Sequence, residues 1–462
     1  MNELRSQEIT PFTLGEWHFT GATLFTKKSS AYGMLVSKNG STFFCARELA
    51  EEISIQKPSV KLMAKLAAKG FCDVQKQECC QSPEALPTFL MIDITSKCNM
   101  NCFYCLRHFE DSGETIQEDK LQDILDFIIQ YYRENSLECL DIQPWGGEPT
   151  IALDRVIFIR SYLARHGVHA NITIQTNGLN LSDSVIQKLE EYDIAVGVSI
   201  DGCPEIHNKH RKDIRDSPTF ARVAEGIERY TALTGIAPGT ISVVSKMSLP
   251  YVEQSLWMLV KELGIKNLKL NLMHPNSELF DQSAVVTTQE IPELYRRVIR
   301  TILKLRMEGF RAVEFNTADR MSNLLADFCP DICHCRGCNG GHQLVSFSRE
   351  GDIYPCETID MMDYRLGSIY DGVSLPDMIR ESVNHGNPYF AKKTDTKCED
   401  CLWLRYCRGG CTASARFNGR KPGQIDEKEC ALNRAVYPEL ISCLLGDPEA
   451  AAMLTDDKVR LV

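Results

Sequence analysis

The chain has 462 residues, 44% of them hydrophobic, enough to bury roughly two to four domain cores. Its charge is acidic, 51 Lys+Arg against 62 Asp+Glu, which argues against a nucleic-acid footprint. No run of about 18 apolar residues occurs and Met1 to Thr10 has no hydrophobic signal region. A cytoplasmic location with no membrane partner is therefore expected. In that reducing compartment 20 cysteines point to metal rather than to a disulfide framework.

In chain order, residues 1–86 read as a small separate domain. An alternating strand at Tyr32 to Ser37 leads through a Lys38-Asn39-Gly40 turn to a second strand at Thr42 to Cys45. Two helical patterns follow, near Ala46 to Ile55 and at Ser59 to Lys69; the latter places Leu62, Leu66 and Ala67 on one face before Gly70. Gln81 to Pro87 reads as a linker. Six strand candidates then alternate with helices: Phe89 to Thr95, Cys139 to Gln143, Asn171 to Gln175, Ile194 to Ile200, Thr240 to Ser245 and Asn267 to Met273. Leu121, Ile124, Leu125, Ile128 and Tyr132 show helix-face spacing after the first of them. Such alternation predicts an α/β fold with a parallel sheet and helices outside it.

After the first strand come Cys98, Cys102 and Cys105, with Tyr104 just before the last. Three thiolates at x3 and x2 spacing can face one point, but a four-iron, four-sulfur cluster needs four ligands, so one iron is left open. Zinc, with His108 as a fourth ligand, and chance clustering are the alternatives. The second strand ends in Gln143 to Pro149, where Gly146 and Gly147 let backbone approach a ligand and the Glu148 carboxylate suits an ammonium group; a plain turn is the alternative. The third strand closes with Asn177, the fourth with Ser199 and Asp201, and His207 and Arg211 follow. Asn177 and Asp201 could equally cap loops, and His207 could start a helix or pack.

A long helix from Thr287 to Gly309 precedes a second cysteine pattern: Cys338, Gly351-x4-Cys356, Cys398-x2-Cys401-x5-Cys407-x3-Cys411, then Cys430. Paired zinc ribbons are the alternative here, although the x5 and x3 intervals do not alternate as knuckle pairs do. After Cys430 a final helix and an acidic tail are expected. Cys45, Cys72, Cys79, Cys80, Cys139, Cys203 and Cys443 read as small core or surface residues.

Over roughly residues 88–435 these motifs resemble the radical SAM superfamily, and the later cysteines resemble its SPASM extension. The resemblance implies a partial (β/α)6 TIM-like barrel at 87–310, a SPASM region with auxiliary Fe–S clusters at 311–435 and a tail at 436–462. Residues 1–86 resemble the winged-helix peptide-recognition domain of enzymes that modify ribosomally made peptides, with a DNA-binding winged helix or a structural cap as alternatives. By the same resemblance S-adenosylmethionine (SAM) binds the open iron of a 4Fe-4S cluster on Cys98, Cys102 and Cys105. Tyr104, Gly146, Gly147, Glu148, Asn177, Ser199, Asp201 and Arg211 would line its site. Two auxiliary 4Fe-4S clusters would sit on Cys338, Cys356 and Cys411, and on Cys398, Cys401, Cys407 and Cys430. The first set needs a fourth ligand from Cys329, Cys333 or Cys335; x4 spacing favours Cys333, and an open site for a substrate thiolate is the alternative. Glu357 stands where sulfatase activators carry an aspartate base, and it could move a proton, position a ligand or sit at the surface. The implied activity is radical modification of a leader-bearing precursor peptide, with electrons from a flavodoxin or ferredoxin. A cysteine-to-carbon thioether is the expected product; carbon–carbon crosslinking, formylglycine formation and a pure electron-transfer or sensor role are the alternatives.

Overall fold

The six strand patterns form one parallel sheet in sequence order: Phe89–Thr95, Leu140–Gly146, Ala170–Thr176, Ile194–Ser199, Gly239–Val244 and Asn267–Leu272. The structure is a computed structural model that describes residues 4–14, 17–72, 86–106, 113–275, 282–326, 332–333, 337–358 and 362–455. His108, Cys79, Cys80, Cys329, Cys335 and most of the Gln81 to Pro87 linker lie outside the described residues. Each strand is followed by a helix or turn that buries an apolar stripe against it; the Glu118–Glu134 helix turns Leu121, Ile124, Leu125 and Ile128 inward. This is the expected partial barrel, and sequential βα units require its parallel order.

The sheet does not stop at residue 310. Leu344–Phe347 pairs in parallel with the first barrel strand, Phe89 beside Leu344, and Asp352–Tyr354 and Gly367–Ser368 extend that side. At the other side Val313–Glu314 joins the sixth strand. The boundary expected at 310/311 is therefore not a break in the sheet, because the region that follows completes both edges.

Residues 4–72 have their own sheet, ordered Leu4–Ile9, Ala22–Lys27, Tyr32–Val36, Thr42–Ala46, with helices Arg47–Ser54 and Val60–Ala68. Ser59 caps the second helix through the Leu62 amide. A separate apolar core of Phe19, Leu35, Ile53, Met63, Leu66 and Phe71 holds them. Four strands before Tyr32 went unread; of these Leu4–Ile9 is exposed at four consecutive positions and carries no alternation.

The final helix expected after Cys430 is present, and it occupies the first part of the segment expected as a tail at 436–462. The helix that begins at Glu427, before Cys430, runs to Gly446 and buries Val436, Tyr437, Leu440, Ile441, Leu444 and Leu445 against the Ile291–Met307 helix and the N-terminal sheet. Its apolar residues recur at helix spacing, so it is core. Among the described residues no helix is long and apolar enough to cross a membrane.

Candidate active site

A cavity of about 310 Å³ opens at the C-terminal ends of the barrel strands. Cys98, Cys102, Cys105 and Tyr104 line it from the loop after the first strand, Gly146, Gly147 and Glu148 from the second, Asn177 from the third and Ser199 from the fourth. Arg211 arrives from farther along the chain because Met100–Cys102 and Arg211–Asp213 form an antiparallel ribbon that sets Arg211 opposite Cys102.

The glycine pair is a cradle in the steric sense. Gly146 has φ +132°, and a Cβ there would stand 2.1 Å from the Thr95 carbonyl oxygen; at Gly147 it would stand 2.0 Å from that of Lys97. The strand end is thereby laid against the cysteine loop: the Gly147 amide donates to Thr95 O at 2.6 Å and that of Glu148 to Lys97 O at 2.8 Å. Glu148 does more for the chain itself than its sequence context suggested. Its Oε1 accepts from the Thr150 amide (3.0 Å) and from the Thr150 and Thr176 hydroxyls (both 2.6 Å), and Oε2 accepts from the Asn177 amide at 2.7 Å. One carboxylate thus pins the ends of the second and third strands while still lining the cavity. Asn177 donates to Asn99 Oδ1 at 2.7 Å, tying the third strand to the cysteine loop.

Arg211 is buried. Its Nη1 donates to the Tyr104 hydroxyl at 2.6 Å, whereas its Nε has no hydrogen-bond partner among the described residues. Burial works against its charge, but Cys102, Tyr104 and Asp201 outweigh it and raise its pKa, so it is a fixed cation with a spare donor at the cavity wall. Asp201 departs from expectation: it does not line the cavity but lies behind Tyr104. Its Oδ2 accepts from the Tyr104 hydroxyl at 2.7 Å and lies 3.1 Å from His210 Nδ1, and Oδ1 accepts from the Val243 amide at 2.9 Å. Burial opposes its ionisation, yet His210 and Arg211 hold its pKa below the ordinary value. His207 packs: Nδ1 accepts from the Asp201 amide at 3.2 Å, Nε2 meets Thr219 Oγ1 at 3.0 Å, and burial, with Arg211 beside it, pushes its pKa down to about 3.

Gln143 and Gln175 also line the cavity, the latter donating to Ser199 Oγ at 3.1 Å. Neither was among the residues expected from the sequence to line it. The available signal was a polar residue near the end of an otherwise apolar strand. Glu357 enters the same cavity from about 250 residues farther on, with Cys356 Sγ 3.2 Å from its Oε2.

The described cysteines from Cys333 to Cys430 separate into two neighbourhoods. Burial pushes up the Cys356 thiol, and Glu357, Cys411 and Cys333 add to it; Cys411 is raised by burial, then by Cys338, with Cys333 contributing. Tyr389 Oη lies 3.0 Å from Cys338 Sγ. The second neighbourhood joins Cys398 with Cys401 and Cys430, and Cys407 with Cys430. No cysteine is shared between them, and Cys333 falls in the first. Met91 and Trp145, on the cavity wall, pack in one apolar cluster with Cys338, Cys356 and Cys411.

Among the described residues no three His, Cys, Asp or Glu side chains are placed to hold a single metal ion. The all-sulfur sets suit iron–sulfur chemistry, and the cradle with the spare Arg211 donor suits a ligand bearing a carboxylate. Burial raises Cys98 to about 12 and Cys102 to about 11, so metal must displace their protons on binding.

Residues 92–244 match the family described as the radical SAM superfamily. The cysteine-type anaerobic sulfatase-maturating enzyme of Clostridium perfringens is 25% identical over 333 residues, 70% of this chain and 88% of that protein. Native anSMEcpe, solved with bound AdoMet and Cp18Cys peptide, superposes with a TM-score of 0.66 at 20% identity over 78% of this chain and 98% of its own. Streptococcus suis SuiB bound to precursor peptide SuiA gives 0.53 at 16% identity, over 87% of this chain and 96% of its own.

Proposed function

Starting from a chain that carries a radical SAM domain over residues 92–244, we propose that it oxidatively modifies a ribosomally made precursor peptide, joining a substrate cysteine to a carbon of another residue as a thioether. The net change on the peptide would be loss of one C–H hydrogen and one thiol proton, formation of one S–C bond and release of two electrons, which balance the two that convert SAM to methionine and 5′-deoxyadenosine; a flavodoxin or ferredoxin would supply the first electron and the peptide would return one. When bound, SAM and the cluster on Cys98, Cys102 and Cys105 supply a radical able to take hydrogen from an unactivated carbon. The chain supplies placement: Gly146, Gly147 and Glu148 admit and hold the amino-acid end of SAM, Arg211 and Ser199 orient it, and Tyr104, braced by Asp201, fixes Arg211.

The observation that carries the proposal is the meeting of Glu357 with the SAM cavity. Through it the cysteine set Cys333, Cys338, Cys356 and Cys411 abuts the place where the substrate must sit. An auxiliary cluster held by these cysteines would accept the substrate's electron, and Glu357 would accept a proton. The N-terminal sheet adds support. Its Leu4–Ile9 strand pairs on one side alone among the described residues and is largely exposed, an edge to which a leader peptide could add as a strand.

Formylglycine formation is the second reading, favoured by the sulfatase-maturating relatives. Co-expression with a cysteine-containing peptide encoded beside this gene separates the two. Thioether formation removes two hydrogens and leaves the cysteine unable to alkylate. Formylglycine instead gives an aldehyde that reacts with a hydrazine. An unmodified peptide with a free thiol, in the presence of 5′-deoxyadenosine formation, would overturn the thioether claim.

A further inference from the structure

The N-terminal domain rests on the Glu427–Gly446 helix and also on the loop between Cys398 and Cys407. The Lys38-Asn39-Gly40 turn meets that loop residue by residue: Lys38 Nζ lies 2.7 Å from Asp400 Oδ1, Arg405 Nη1 donates to the Asn39 carbonyl, and the Tyr406 hydroxyl donates to the Gly40 carbonyl at 2.8 Å in a buried contact. Gly40 is required there, with φ +85° and a Cβ position only 2.1 Å from Arg405 Cδ. Beneath the turn Phe25 stacks on Trp403 at 6.2 Å, and Trp403 and Tyr406 rest on Tyr437 at 4.9 and 4.8 Å. Tyr437 lies two turns along the helix from Cys430, on the same face.

This platform has little regular structure of its own. Its two helices, Thr396–Glu399 and Leu404–Cys407, are four residues each, far below the length at which a helix holds itself. What can fix them is a group shared by Cys398, Cys401, Cys407 and Cys430, which bracket every residue that touches the turn. We propose that the iron–sulfur group held by these four cysteines is the seat of the N-terminal domain, so that filling this site docks the domain and docking in turn retains the group. The inference rests on the reading that this second set binds an iron–sulfur cluster. By linkage the coupling acts equally in both directions, and a typical coupling changes each equilibrium about fivefold or more.

The test uses the full chain, reconstituted anaerobically with iron and sulfide, in two arms. The first reads iron content and amide exchange in Cys398→Ser/Cys401→Ser. One cluster's worth of iron should be lost, and exchange over residues 37–46 should rise about fivefold or more, with the barrel strand Phe89–Thr95 still protected. Unchanged iron content overturns the metal reading of this set. Lost iron with unchanged protection at 37–46 overturns the docking claim alone. If the barrel strand also loses protection, the variant has unfolded and the second arm decides. That arm uses Lys38→Glu/Tyr406→Phe, which keeps every cysteine. One cluster's iron should pass to a chelator several-fold faster than from the unaltered chain, and an equal rate overturns the proposal.

Discussion

Replacing Gly147 by alanine tests the cradle directly. The added Cβ would lie 2.0 Å from Lys97 O and 2.6 Å from Lys97 C, both backbone atoms that no side-chain rotation can move. Contacts below 3.0 Å are essentially never seen, so the second-strand end and the cysteine loop must part by about 1 Å. That parting strains the 2.6 Å bond from Gly147 N to Thr95 O and the 2.8 Å bond from Glu148 N to Lys97 O. Overpacking of this kind costs roughly 1–3 kcal/mol. If the strain is relieved by retraction of the turn, SAM affinity falls roughly tenfold to a hundredfold. Anaerobic titration calorimetry with SAM measures it, with iron content confirming that the first cluster is retained. Gly239→Ala is the control, because its Cβ would meet nothing closer than 3.9 Å. Affinity within twofold of the unaltered chain, with the cluster intact, would refute the argument that this turn must touch the loop.

Arg211→Lys keeps the charge but loses the guanidinium fork that meets Tyr104 at 2.6 Å and carries the spare Nε. SAM binding should weaken by about 1.5–3 kcal/mol, tenfold or more, and equal affinity by the same calorimetry would deny Arg211 its role. Glu357→Gln should leave 5′-deoxyadenosine formation in place while modified peptide, counted by mass spectrometry, drops by about 10²–10⁴; an equal fall in both products would indicate a damaged cavity instead. His207 sets a pH dependence. Its folded pKa of about 3 lies below the 6.5 of the unfolded chain, so acid protonates the unfolded state first. Its contribution is complete above pH 6.5 and drains as pH falls toward 3, at up to about 1.4 kcal/mol per unit. The melting temperature should drop on acidification, and His207→Asn should flatten that slope between pH 6.5 and 5.

Much of the framework was local and therefore readable. Strand and helix periodicity identified six βα units, and the spacing of Cys98, Cys102 and Cys105 placed three sulfurs in one loop. Cys333, favoured for the room that four intervening residues give, shares a neighbourhood with Cys356 and Cys411, while its rivals Cys329 and Cys335 lie outside the described residues. Other residues misled because neighbours in sequence pointed apart in space. Ser199 and Asp201 lie two residues apart, yet only Ser199 lines the cavity, since the chain leaves the strand between them and turns Asp201 toward Tyr104 and His210.

What the sequence alone determined was therefore the periodic scaffold, the cysteine grouping and the glycine pair, all encoded within a few turns of chain. Only the tertiary structure brought Glu357 to the cavity, enlisted Gln143 and Gln175, committed Glu148 to clasping two strands, buried the C-terminal helix and set the N-terminal turn on the 398–407 loop. Those outcomes depend on register between strands far apart in sequence and on which buried polar groups find partners, and neither is written in any local pattern.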